Sequence, residues 1–119
     1  HGSKRATAND MLLEIVSKYE SKSNIGIVEP AHMELAEPSI EMAFDRCVER
    51  GAERIICHPF FLSKGRHVQD DIPALVAAAA AKYEGRVSYI ITAPLGVQDA
   101  ITDLIDASVD VCRTSFERE

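Results

Sequence analysis

Apolar positions along this chain follow two alternating rhythms. Residues 9–21 place Leu12, Ile15, Val16 and Tyr19 on one face, the i, i+3, i+4, i+7 spacing of an amphipathic helix. Residues 38–50 repeat that rhythm with Ile40, Ala43, Phe44, Cys47 and Val48, with Pro38 suited to the first turn and Gly51 to the stop. Residues 72–83 carry Ile72, Leu75, Val76 and Ala79 on one side, with Asp71 as a natural N-cap, Pro73 in the first turn and Gly85 after the end. Residues 99–116 keep Ile101, Leu104, Ile105, Val109 and Cys112 in register. Between these helices lie β-type runs at 25–33, 54–61 and 87–93. The last two are nearly continuously apolar, as strands covered on both faces are.

Strand and helix alternate with short connections, which predicts an α/β fold in layers, with a parallel sheet and right-handed crossovers. An alternating domain of this kind ordinarily opens on a strand, whereas this chain opens on a loop and then a helix. The expectation is that the sheet's central first strand precedes His1 in the native protein. At 119 residues one domain, residues 1–119, is expected, and a chain of this length can bury a core without staples. No Trp and few aromatics make that core aliphatic.

Charge and cysteine usage narrow the function classes. A net charge of −6 argues against nucleic acid as a partner, because such binding needs a basic footprint. No apolar run approaches the ~20 residues of a membrane span, so a soluble protein with no membrane partner is expected. Cys47, Cys57 and Cys112 are odd in number and irregular in spacing, which gives no disulfide framework and suits a reducing compartment. No signal or transit peptide is visible.

The candidate chemistry sits where βα loops should be, outside the carboxyl ends of the strands, which is where open parallel sheets bind ligands. His1 opens His1-Gly2-Ser3-Lys4-Arg5, and His67 closes Ser63-Lys64-Gly65-Arg66-His67. Glu34 and Glu37 follow the first β-type run, and Pro94-Leu95-Gly96 follows the last. Each piece has a plainer reading. His-Gly-Ser alone is also what a cleaved affinity tag leaves, and a lone loop histidine such as His67 is more often solvated or capping. His32 shares strand parity with Glu34 but reads better as a half-buried strand-end residue. His58, before Pro59, reads as a hydrogen-bonded structural histidine. Glu37 and the pair Asp70 and Asp71 suit helix N-termini electrostatically. Glu34 has no such duty and is the preferred functional carboxylate. Lys4, Arg5, Lys64 and Arg66 cluster around the two histidine loops, so an anionic ligand can be attracted locally by an acidic protein.

Taken in order, these segments resemble the small, single-repeat class II chelatases, the sirohydrochlorin ferrochelatases in particular. The matching stretches are His1-Gly2-Ser3-Lys4-Arg5 with Asn9, Glu34-Leu35-Ala36-Glu37-Pro38-Ser39, Pro59-Phe60-Phe61-Leu62 with Gly65-Arg66-His67, Asp71-Ile72-Pro73, and Ala93-Pro94-Leu95-Gly96. They span nearly the whole chain, and Lys4, Arg5 and Asn9 count against a tag remnant at His1. The fuller string Glu29-Pro30-Ala31-His32-Met33-Glu34-Leu35 looks most like plant and algal plastid members. The resemblance implies a three-layer flavodoxin-like or chelatase-like domain and insertion of Fe(II), as substrate metal, into sirohydrochlorin in the last step of sirohaem synthesis. It matches His1 and His67 to the family's two active-site histidines and Glu34 to its carboxylate, with Glu37 close by. His1, His67, Glu34 and Glu37 form the implied metal set. It further implies a homodimer, and a place in the plastid stroma for a plant or algal protein or in the cytoplasm otherwise. The cysteine-rich tail that carries an iron–sulfur cluster in plant-type relatives has only Cys112 near its place here, so a cluster on this chain is not expected.

The residue types fit this chemistry on their own terms. Metalation removes two pyrrole protons while delivering a divalent ion, and neutral imidazole can bind that ion or accept a proton. A carboxylate can take the second proton. The ligation has to be loose enough to surrender the ion, unlike a closed set of four thiolates. Sirohydrochlorin's carboxylates suit the cations Lys4, Arg5, Lys64 and Arg66, and Leu62, Val68 and Leu95 offer apolar contact to the ring. The competing readings are a cobalt or nickel chelatase of the same family, which imidazole and carboxylate allow equally, and a non-catalytic tetrapyrrole or metal carrier. A phosphate or nucleotide binder is disfavoured, since no loop carries Gly-x-Gly-x-x-Gly or a Walker pattern.

Overall fold

The element order is α1 (Ala6–Lys22), α2 (Ile40–Glu49), β1 (Arg54–Cys57), a π-helical turn (His67–Asp71), α3 (Ile72–Ala81), β2 (Ser88–Ile91) and α4 (Asp99–Glu117). This is a computed structural model; it describes residues 1–117, apart from the side chains of His67 and Glu117. All four predicted helices form, with ends shifted by a few residues. β1 and β2 pair in parallel with Arg54 opposite Ser88 and Cys57 opposite Ile91, which is the predicted α/β arrangement with a helical crossover through α3.

Sequence explains where each element stops. The Ser39 hydroxyl caps α2 by accepting from the Met42 N–H at 3.2 Å, a bond worth ~1 kcal/mol. Pro59 lacks a backbone donor and β1 ends before it, at Cys57. The β-type run at 25–33 behaves differently from its sequence pattern. It is extended, yet its one β-type pairing is an isolated parallel bridge between His32 and Ser39. A β-type composition is not enough to make a strand; ladder partners are needed as well, and among the described residues none pairs with 25–31.

The core lies between α2, α3 and one face of the sheet. Phe44, Ile72, Val76, Ala79, Ala80 and Val87 are buried together, and Met33, Ile40, Val48, Ile55, Cys57, Phe61, Tyr83 and Ile91 pack on them. The abundance of Ala in α3 lets it approach α2 closely. Polar ties lock the outside of this contact. Lys82 donates to Asp45 at 2.7 Å and Glu41 at 3.0 Å, and the Tyr83 hydroxyl donates to Asp45. Desolvation pushes the Asp45 carboxyl up, but the bonds from Lys82 and Tyr83 outweigh it and hold the carboxyl below its ordinary value. On the far side of α2, Arg50 binds Glu20 at 3.0 Å and Glu29 at 3.1 Å. It also donates to the carbonyls of Val28 and Gly26. One guanidinium therefore ties α1, the extended segment and the end of α2 together. Burial raises the thiols of Cys57 and, with Glu29 adding to it, Cys47, as expected of inert core residues.

The helices α1 and α4 are less engaged than their patterns suggest. No residue of α1 is buried, and Tyr19 of its predicted inner face is 48% exposed. No described helix is long and apolar enough to cross a membrane.

Candidate functional site

The carboxyl ends of β1 and β2 are closed by loops bonded to one another. Leu95 N–H donates to the Phe61 carbonyl at 2.9 Å, and Thr92 N–H donates to the Cys57 carbonyl at 2.9 Å. Pro59 and Pro94 are buried beneath these loops. The His1 ring stands edge-on to Phe61, with centroids 5.1 Å apart and planes at 85°. The predicted histidine loop, the Phe61 loop and the Leu95 loop therefore meet in one place.

The His1 segment is fixed from two sides. Toward α1, the Ser3 N–H donates to Asn9 Oδ1 at 2.8 Å, and Asn9 Nδ2 returns a bond to the Ser3 carbonyl at 2.7 Å. Toward the acidic loop, the Glu34 N–H donates to the His1 carbonyl at 2.9 Å. Gly2 makes this approach possible. Its φ is +95°, and a Cβ there would lie 2.3 Å from the Glu34 carbonyl oxygen and 3.1 Å from the Cβ atoms of His32 and Ala36. Only glycine fits such a contact at such a backbone angle.

The acidic loop is equally constrained. Its Leu35 has φ +68°, and the Glu37–Pro38 peptide is cis. The His32 N–H reaches across to the Pro38 carbonyl at 2.8 Å, and Ala36 N–H bonds the Glu34 carbonyl at 2.8 Å. This tight reversal presents Glu34 outward. Glu34 and Met33 line an open groove of about 300 Å³ with Asp71, Ala74 and Leu75. Asp71 is the N-terminal neighbour of α3, but its side chain does not cap the helix. The sequence pattern gave it the duty of a helix-start acid, and its place beside Glu34 is visible only in three dimensions.

The remaining predicted residues divide by place. His67 begins the π-helical turn, which Gly65 opens by accepting from Val68 and Gln69 N–H at 3.1 Å each; its ring lies outside the described side chains. Leu95 is half-buried beside Phe61, whereas Lys4, Arg5, Lys64 and Arg66 are all exposed. Glu37 is exposed on the loop's return and is not part of the groove lining. Among the described residues no three His, Cys, Asp or Glu side chains converge tightly enough to hold a metal ion. His58 Nδ1 lies 2.7 Å from Thr92 Oγ1, the hydrogen-bonded histidine its position predicts. His32 is more deeply placed than its pattern suggests, at 6% exposure beside Gly2.

Comparison with known proteins places the chain among chelatases in sequence and fold. A family model described as CbiX matches residues 1–111. The chloroplastic sirohydrochlorin ferrochelatase of Arabidopsis thaliana is 49% identical over 98% of this chain and 52% of its own length. The sirohydrochlorin cobaltochelatase of Methanocaldococcus jannaschii is 30% identical over 88% of this chain and 90% of its own. The sirohydrochlorin chelatase SirB of Bacillus subtilis subspecies spizizenii, solved in complex with cobalt, matches with a TM-score of 0.85 at 26% identity, covering 92% of this chain and 47% of that one. The chain thus spans about half the length of the plant relative and of SirB, and nearly all of the archaeal one. With the family model matched across the histidine loop, the acidic loop and the start of α4, this chain belongs to the CbiX family.

Proposed function

We propose that this chain is a single chelatase domain, one lobe over residues 1–119, that inserts Fe(II) into sirohydrochlorin as the last step of sirohaem synthesis. The observation that carries this reading is the backbone bond between Glu34 and the His1 carbonyl. It ties the backbones of a histidine and a glutamate together at the carboxyl ends of the strands. His1 and His67 hand over the metal and accept pyrrole protons, Glu34 takes a proton or guides the hydrated ion, and Glu37 serves as an outer carboxylate for incoming metal. The overall change releases two protons for each divalent ion inserted, so the site needs at least two acceptors near pH 7. Lys4, Arg5, Lys64 and Arg66 bind the macrocycle's carboxylates, and Leu95 with Phe61 packs on its face. Asp71, on the groove beside Glu34, adds a further acceptor.

Iron is favoured as the substrate metal by the 49% identity to a ferrochelatase, against 30% to a cobaltochelatase. Cobalt is the second reading, supported by that archaeal relative and by the cobalt complex of SirB. The chloroplastic relative favours the plastid stroma as the place of action. Relatives of single and of double length favour a homodimer in which two copies of this lobe work together.

The test is anaerobic metalation of sirohydrochlorin followed by absorbance, with Fe(II), Co(II) and Ni(II) in parallel and His67→Ala beside the wild type. Fe(II) insertion faster than background and lost in the variant supports the reading. A cobalt preference keeps the mechanism and changes the metal, and tight pigment binding without rate enhancement leaves only a carrier.

A further inference from the structure

Leu35 is held in a backbone conformation that leucine avoids, and its side chain is left in the open. Its φ of +68° lies in the left-handed region, which is costly for a residue with a Cβ. The Ala36 N–H donates to the Glu34 carbonyl at 2.8 Å, so Leu35 is the centre of a three-residue turn. With positive φ, this is the rarer and more strained hand of the γ-turn. Among the described residues Glu84 is the other non-glycine residue with positive φ, at +52°. It lies just past the end of α3, where a left-handed residue is ordinary. Leu35 ends no helix. Packing does not account for it either, because it is 58% exposed and outside the core cluster. Stability alone would put glycine or asparagine at such a position.

The candidate site itself holds this turn in place. Before Leu35, the Glu34 N–H is bonded to the His1 carbonyl, and the Glu34 carbonyl lies against Gly2. After it, the chain is drawn back by the bond from the His32 N–H to the Pro38 carbonyl. The other loop that touches His1 carries a second three-residue turn. There the Phe61 N–H donates to the Pro59 carbonyl at 2.9 Å, with Phe60 at the centre. Phe61 meets the His1 ring, whereas Phe60 is 40% exposed. Two short turns thus meet His1, one at its carbonyl and one at its ring, and each carries an exposed apolar side chain at its centre. Backbone strain persists where the surroundings over-determine it, and it clusters at ligand clamps.

We propose that Leu35 is a specificity-determining contact for the macrocycle, its strained turn holding the side chain against the apolar face of the tetrapyrrole, with Phe60 as the second arm of the clamp. This rests on the chelatase reading above and deepens it. A tetrapyrrole is a flat apolar ring whose charge is confined to its rim. Cations such as Lys64 and Arg66 can recognise the rim's carboxylates but not the ring. Binding sites for such molecules are lined mainly by apolar side chains, with a few polar groups to fix orientation. The occupant is the ring because both turns are seated on His1, and metal insertion brings the ring's centre to that residue. Covering the exposed part of a leucine is worth about tenfold in affinity.

The test is sirohydrochlorin binding followed by absorbance, with anaerobic Fe(II) insertion and thermal unfolding, on variants of the whole chain. Leu35→Asn suits a left-handed backbone but removes the apolar contact. It should melt as high as wild type or higher, yet bind sirohydrochlorin about tenfold more weakly. KM should rise by the same factor with kcat within about twofold of wild type. Added salt should leave this gap unchanged, because the lost contact is apolar and salt screens only charge. Leu35→Met keeps an apolar side chain and should restore the affinity, and Phe60→Ala should show the same salt-independent loss. A Leu35→Asn protein that binds as tightly as wild type, whose loss shrinks with salt, or that loses kcat at unchanged KM overturns the clamp. One that melts several degrees below wild type marks Leu35 as structural and overturns it too. A wild type that binds sirohydrochlorin without inserting iron overturns the enzyme reading and leaves the clamp standing. A wild type that does not bind it overturns both.

Discussion

Adding one methyl group at Gly2 should disable the site. In Gly2→Ala the new Cβ meets the Glu34 carbonyl oxygen at 2.3 Å, about 0.7 Å inside the closest approach real Cβ atoms tolerate. The Cβ atoms of His32 and Ala36 at 3.1 Å close off a sideways escape. Two costs add. An L-residue at φ +95° costs about 1–2 kcal/mol, and the overlap adds about 1–3 kcal/mol if the loops stay in place. If they part instead, the bond between Glu34 N–H and the His1 carbonyl is lost, and His1 and Glu34 separate by the better part of an ångström. A misplacement of that size costs about 10²-fold in rate. Gly51→Ala is the control, because Gly51 has φ +103° with open space around its Cβ position. It should cost only the backbone term and leave metalation unchanged. Thermal unfolding and anaerobic metalation of both variants make the assay. At ~4–8 °C per kcal/mol, Gly2→Ala should melt at least 8 °C below wild type or keep its fold and lose its rate. A Gly2→Ala protein as stable and as fast as Gly51→Ala would refute the contact.

Other expectations concern single interactions. Ser39→Ala removes the α2 cap and should cost ~1 kcal/mol in denaturant unfolding, with no change in macrocycle affinity. Asp45→Asn breaks the tie to Lys82 and Tyr83. Because the folded carboxyl lies below its ordinary value of 3.8, its stabilisation is present above that value and is lost as pH falls through the folded one. The variant should therefore melt below wild type at pH 7 and approach it as pH falls below the folded carboxyl's value. Charge reversal at Lys64 and Arg66 should raise KM about tenfold at low salt with kcat nearly unchanged, and added salt should narrow the gap. An equal loss in kcat would place these residues at the reacting centre instead.

Helices α2, α3 and α4 were legible in the sequence because their stripes and stops depend only on local spacing, and β1 and β2 because their runs are continuously apolar. The β-type run at 25–33 misled, since its composition is that of a strand while its hydrogen bonds depend on neighbours that local pattern does not report. The candidate site was legible as a set of loops. Its assembly was not: the positive φ of Leu35, the seating of Gly2 against Glu34 and the edge contact of His1 with Phe61 arise from chain packing across more than thirty residues of sequence. Asp71 was hidden for another reason, because a carboxylate before Ile72-Pro73 is fully explained as a helix-start acid until the groove is seen. The α4 stripe was visible in sequence, but periodicity states that a face needs covering without naming what covers it.

The most direct test of the central claim separates binding from turnover. Sirohydrochlorin affinity and the anaerobic Fe(II) insertion rate would be measured on wild type, Glu34→Gln and the double variant His1→Ala, His67→Ala. The account predicts macrocycle affinities within a few-fold of one another, and insertion rates at least 10²-fold lower in the histidine variant and about 10-fold lower in Glu34→Gln. A wild-type rate no faster than that of the free macrocycle and metal, or a histidine variant that inserts iron as fast as wild type, would contradict it.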